Sequence, residues 1–149
     1  MLAENTMTNR YDTDFYGWTQ EQADLLRYGL LDQLDTANLL KEIESIGHSQ
    51  QSELESLLEV LFRHLLKWAF QPSHRGRSWQ LIIAEPRRKA ARRLSKSPSL
   101  ERELDEMTTD AYGDAILSAA RETGMDEKVF PKSCPWTFAQ IMDSDFYPE

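Results

Sequence analysis

The sequence predicts an all-α protein: a single compact, bundle-like helical domain of about five main helices, with an extended aromatic N-terminal arm and a loop-rich C-terminal tail. Three observations predict it. Apolar residues recur at helical spacing over much of the chain, most regularly from position 54 to position 69, as expected of a buried helix face. Gly47, Pro72, Pro98 and Gly124 fall between the periodic runs, where helices stop and start. No stretch alternates apolar and polar residues for long; only residues 79–84 resemble a buried strand, and their neighbours read as helical. The 149 residues (17.3 kDa) suffice for one domain with a real core. Residues 1–10 read as a flexible N-terminus and 11–149 as the domain.

Residues 11–18, Tyr-Asp-Thr-Asp-Phe-Tyr-Gly-Trp, read as an extended arm that lays aromatic rings on a later core. Thr19 to Gln22 has capping-box spacing and opens the first helix, with Leu25, Leu26, Tyr28 and Leu30 as its apolar side and Gly29 weakening its end. Asp32 or Asp35 caps a second helix that uses Leu39, Leu40, Ile43 and Ile46, and Gly47 fits the position just past its end. A third helix spans about 49–70: Leu54, Leu58, Leu61, Leu65 and Trp68 form its core side, and Pro72 stops it. Residues 75–97 carry an apolar stripe that includes Trp79, Leu81, Ile82, Ala90 and Leu94, with a kink or break expected ahead of Pro86. Ser97-Pro98 restarts the chain with a serine cap and a proline at the first helical position; the helix that follows uses Leu104, Met107 and Ala111 and ends at Gly124. Beyond it come Phe130-Pro, Cys134-Pro and Tyr147-Pro around one short helix near residues 136–142. The expected core includes Leu54, Leu58, Leu61, Leu65, Trp68, Ile82, Leu94 and Leu104.

Charge is the least ordinary property of the chain. Residues 74–97 hold eight Lys/Arg and one acid, a net of +7, leaving −15 for the rest of a chain whose total is −8. Segregation of this kind points to a partner or to an internal pairing surface. The acidic total argues against the whole surface binding a polyanion, so any phosphate contact would be local. The lone cysteine, Cys134, forms no internal disulfide, and with no signal-peptide pattern a reducing cytoplasm is expected. No apolar run approaches the roughly 18 residues of a membrane span.

Six groups of residues follow one another along the chain: Tyr11-Asp-x-Asp-Phe-Tyr-x-Trp18; the run Leu40-Lys-Glu-Ile-Glu-Ser-Ile-Gly47; His64-Leu-Leu-Lys-Trp68; Arg77-Ser-Trp79; Ser97-Pro-Ser-Leu100; and Cys134-Pro-Trp-Thr with Asp145-Phe. In this combination and order, from about 11 to 148, the chain resembles the bacterial, largely cyanobacterial family catalogued as domain of unknown function twenty-nine. The resemblance implies a compact all-helical domain and brings no activity with it.

The basic segment supplies the candidate surface: Arg75, Arg77, Arg88, Lys89, Arg92 and Arg93. Arg88/Arg92 and Lys89/Arg93 line up at i, i+4, as a phosphate-binding helix would require. The competing reading pairs these cations with the protein's own acids, among them Glu53, Glu55 and Glu59; the net charge favours it. No metal or other cofactor is expected. A di-metal bundle would need two Glu-x-x-His pairs, and His48, His64 and His74 supply none. Ser73-His74 and Cys134 lack partners at nucleophile spacing, and no glycine-rich phosphate loop is present. No catalytic constellation is recognised. The expectation is a non-catalytic helical module that binds another protein or a copy of itself, its aromatic ends (Phe15, Tyr16, Trp18; Phe138, Phe146, Tyr147) offering adhesive residues. The alternative is a nucleic-acid-associated module that uses the basic helix 75–96, in a defence or toxin–antitoxin setting.

Overall fold

A computed structural model describes residues 10–149. Helix of either the α or the 3-10 type takes up 80% of them, and no strand occurs among the described residues. In order these are α1 (Phe15–Arg27), α2 (Thr36–Phe70), α3 (Arg77–Lys96), α4 (Leu104–Thr123) and α5 (Phe138–Met142), with single 3-10 turns before and after α2, a longer 3-10 segment at Pro98–Glu103 and another turn at Glu127–Val129. The expected flexible terminus lies outside the described residues up to position 9; residue 10 is already helical. The chain divides into two compact units, one ending at Ser49 and one spanning Gln50–Glu149, with the boundary inside α2. Among the described residues no helix is long and apolar enough to cross a membrane.

In the N-terminal unit the aromatic arm is not extended. Residues 10–13 are helical and α1 begins at Phe15. Asp14 is its cap, accepting from the Gly17 amide at 3.1 Å; Thr19, read from the sequence as the cap, instead donates from inside the helix to the Tyr16 carbonyl at 2.7 Å. The reason is a period masked by the polar residues between: Tyr11, Phe15, Trp18, Gln22 and Leu25 recur at i, i+4, i+7, i+11 and i+14. The first three rings meet edge-on or stacked at 4.8–5.6 Å, and Trp18, Gln22 and Leu25 are buried. Asp35 then ties α1 to the start of α2. Its carboxylate accepts from Trp18 Nε1 at 3.0 Å, from Asn38 Nδ2 at 2.8 Å and, as a cap, from the Asn38 amide at 3.4 Å; its own amide donates to Gln22 Oε1 at 2.8 Å.

The second and third expected helices are one. α2 runs through Gly47 without a break, about 52 Å at 1.5 Å per residue. A glycine inside a helix costs only about 1 kcal/mol, and nothing supplies the left-handed turn that would end the helix there: Gly29 and Gly124 have positive φ, Gly47 does not. Gly124 (φ 74°) closes α4 as expected.

In the C-terminal unit Leu54, Leu58, Leu61, Phe62, Leu65 and Leu66 of α2 are fully buried against Ile83 and Ala90 of α3 and Met107, Ala111, Ala115 and Ala119 of α4. Phe62 meets Tyr112 edge-on at 5.5 Å. Five of the eight expected core residues are buried, and Leu94 and Leu104 are partly so. Ile82 is the correction: it is 37% exposed while Ile83 is buried. α3 neither breaks nor ends at Pro86, so its buried face follows one phase through residues 83, 86, 87 and 90, and Ile82 falls off that line. The proline denies the Ile82 carbonyl its amide partner, and at an exposed residue water can replace that bond. Pro98–Glu103 is 3-10 rather than α-helical, with no side-chain cap from Ser97. The tail closes the core: α5 opens with a full Thr137–Gln140 capping box, and Tyr147 packs on Trp68 at 4.9 Å.

Candidate interaction surface

The basic segment separates into cations with structural partners and cations without. Arg75 is half-buried at the end of α2, donating to the Trp68 carbonyl at 2.8 Å with its guanidinium 5.4 Å from the Trp68 ring centre. Arg87 is buried, donates to the Ile141 and Phe146 carbonyls at 2.7 and 2.9 Å, and lies against the Tyr147 ring. Burial lowers its pKa. It ties α3 to the tail, a role hidden in the sequence among four neighbouring cations. Lys89 pairs with Glu85 at 2.7 Å, one helical turn back, and this bond holds the exposed Glu85 carboxyl below its usual range. Arg93 pairs with Glu53 and donates to Gln50 Oε1 at 2.9 Å.

Arg77, Arg88, Arg92 and Lys96 remain. Each is exposed and none meets a carboxylate among the described residues. Internal pairing therefore accounts for Lys89 and Arg93 but not for Arg88 and Arg92. The six expected surface residues are spread along the chain: Arg75 is committed to the fold, Arg77 sits at the first turn of α3, and the others begin about three turns later.

Beside this face lies an open groove of about 640 Å³ within the C-terminal unit, walled by Lys89, Arg92, Arg93 and Lys96 of α3 and by Ser52, Glu53 and Ser56 of α2. Leu57 and Val60, both half-buried, form its floor. Four cations face one carboxylate there.

The N-terminal unit presents a different surface. Leu40, Ile43 and Ile46 project from α2 at 58%, 65% and 61% exposure, and every residue from 43 to 49 is exposed. Their i, i+3, i+6 spacing makes one stripe of the helix. Leu26, Tyr28, Leu30 and Leu31 of the same unit are also exposed. The adhesive residues expected at the two ends divide: Phe15 and Tyr16 are exposed, whereas Trp18 is buried and Phe138, Phe146 and Tyr147 pack against the core.

The most displaced titratable group lies elsewhere. His64 is pushed down to about 4, first by burial and then by the charges of Lys67 and Arg63. Around it Arg63 bridges Glu59 at 2.5 Å and Glu122 at 3.1 Å, and Lys67 reaches Glu122 at 3.1 Å. Burial opposes ionisation of Glu122, but the hydrogen bond and charge of Lys67, with Arg63, outweigh it and hold the carboxyl below its usual range. Tyr112 is pushed up to about 12 by burial, its hydroxyl donating to the Pro131 carbonyl at 2.5 Å. Burial likewise raises the Cys134 thiol. Among the described residues no three His, Cys, Asp or Glu converge to hold a metal ion.

The family model described as "Domain of unknown function DUF29" matches residues 10–147, nearly the whole chain. No curated protein and no solved structure matches it. The chain belongs to the DUF29 family.

Proposed function

We propose that this DUF29 chain is a non-catalytic helical module that binds another protein through the apolar stripe Leu40, Ile43 and Ile46. The stripe carries the reading. Three large aliphatic side chains on one helix face, each more than half exposed, are the kind of contiguous apolar surface that marks interaction sites. Covering them would recover about 25 cal/mol for each Å² of apolar surface removed from water. On this reading the displaced groups are products of packing: His64 stays neutral inside an ion-pair cluster, and Arg87 and Tyr112 hold tail and loop carbonyls. The same reading takes residues 11–149 as one domain working in a bacterial cytoplasm, where a half-buried lone thiol such as Cys134 stays reduced.

The test is crosslinking from a photoreactive residue at position 43 in the native host, followed by reconstitution with the purified partner. The expected result is a saturable complex that Ile43→Glu with Ile46→Glu abolishes. A complex indifferent to those changes, or none from position 43, overturns the reading.

The nucleic-acid alternative draws on Arg88, Arg92 and Lys96, whose charges meet no carboxylate among the described residues. Against it stand a net charge of −8 and a groove with no aromatic wall on which a base could stack. Binding to DNA or RNA that weakens steeply with salt and is lost in Arg88→Gln with Arg92→Gln would establish it.

A further inference from the structure

We infer that the groove between α2 and α3 is a second docking site, and that its occupant is an acidic amphipathic helix of a partner protein. This extends the interaction-module reading to a separate surface and does not depend on the apolar stripe. The chemistry of the groove selects the occupant. Its floor, Leu57 and Val60, is apolar, so a ligand that is charged all round would leave it uncovered. One wall is cationic, and the single carboxylate, Glu53, is already taken by Arg93. Arg92 and Lys96 lie one turn apart on α3, and neither meets a carboxylate among the described residues. A helix with glutamates one turn apart and leucines beside them offers carboxylates to both while its apolar side covers the floor.

The spread of the charges decides against a compact anion. Lys89 and Lys96 are seven residues apart on α3, about 10 Å along its axis, so the cations track a line and do not converge on one phosphate. Nucleic acid has repeating charge but nothing to cover Leu57 and Val60, and the acidic remainder of the chain opposes a long polyanion. Docking at Arg92 and Lys96 breaks no ion pair among the described residues, and an arriving glutamate meets charges that are already in place.

The experiment uses the full chain and a synthetic capped peptide of about 16 residues, long enough to hold helical structure in water, with glutamates at every fourth position and leucines on the adjoining face. Saturable binding by fluorescence anisotropy is expected, weakening as salt rises. Arg92→Glu with Lys96→Glu should reduce affinity by about tenfold or more. The same variant should gain affinity for a peptide with lysines in place of the glutamates. Ile43→Glu with Ile46→Glu should leave binding unchanged, so failure of the stripe and failure of the groove are separate results. Four outcomes overturn the inference: no saturable binding; binding that survives the charge reversal; a single-stranded oligonucleotide held more tightly than the peptide through Arg92 and Lys96; and self-association of the chain that the reversal abolishes, which would make a second copy the occupant.

Discussion

The two halves of α2 carry the same kind of sequence and meet opposite fates. Leu40, Ile43 and Ile46 repeat at helical spacing and are more than half exposed; Leu54, Leu58, Leu61 and Leu65 repeat at helical spacing and are completely buried. The C-terminal half is met by α3 and α4, whose Ile83, Ala90, Met107, Ala111 and Ala115 fill the space above it. The N-terminal half has α1, and α1 takes the side marked by Asp35 and Asn38. Hydrophobic periodicity reports that a helix has a face to cover; it does not report whether the chain itself covers it. An uncovered face on an otherwise well-packed helix is a reason to look for a partner.

The comparison breaks most readily by truncation. Leu61→Ala should cost about 2–5 kcal/mol in chemical denaturation, the range for a buried leucine replaced by a cavity. Ile43→Ala, a similar loss of side chain on the same helix, should change stability by no more than about 0.5 kcal/mol. Equal losses at the two positions would mean that Ile43 is covered in solution, and its exposure would no longer argue for a partner.

A pH titration sharpens the account of the buried half. His64 is pushed down to about 4 in the folded protein, whereas an unfolded histidine titrates near 6.5. Between those values the unfolded chain binds the extra proton, so stability falls as pH drops from about 6.5 toward 4. The group is only partly buried, so solvent screening reduces the full linkage to about 1–2 kcal/mol. His64→Gln should flatten that part of the stability–pH profile. An unchanged profile would show that His64 protonates in place and that Glu59 and Glu122 absorb its charge.

Where the signal was periodic the fold was legible in the sequence, and it failed where two signals competed. Residues 54–69 and the Gly124 stop are as read, and of the two caps the sequence offers, Asp32 and Asp35, the helix uses Asp35. At Gly47 and Pro86 a local breaker competes with a continuing period, and in both places the helix continues: glycine costs it only backbone entropy, and the one bond that proline removes falls at the exposed Ile82 carbonyl. At residues 11–18 the polar spacers hid an i, i+4, i+7 ring pattern. The candidate surface was legible as a charge excess but not as a geometry. Arg87 lies on the buried phase of α3 with Ile83 and Ala90, and that phase was obscured by the break expected at Pro86. Lys96, one turn beyond Arg92, belongs to the groove and was signalled by the same i, i+4 spacing that singled out Arg88 and Arg92.

The smallest effect separates the cations that hold the protein together from those that do not. Arg93 pairs with Glu53 and bonds Gln50, so Arg93→Gln should lower stability by about 0.2–1 kcal/mol, the range for a partly exposed ion pair. A double-mutant cycle with Glu53→Gln should return a coupling of that size. Arg88→Gln with Arg92→Gln removes two charges that meet no carboxylate among the described residues, so it should leave stability within about 0.5 kcal/mol of the parent. The contrast rests on contact, since all three arginines lie within six residues of one helix and share its acidic surroundings. If the double variant destabilises as much as Arg93→Gln does, these cations work through the summed field of the chain, and the offset that high salt imposes on both variants will show it. If it does not, Arg88 and Arg92 are free for a partner, and any affinity they lose on substitution is lost from binding alone.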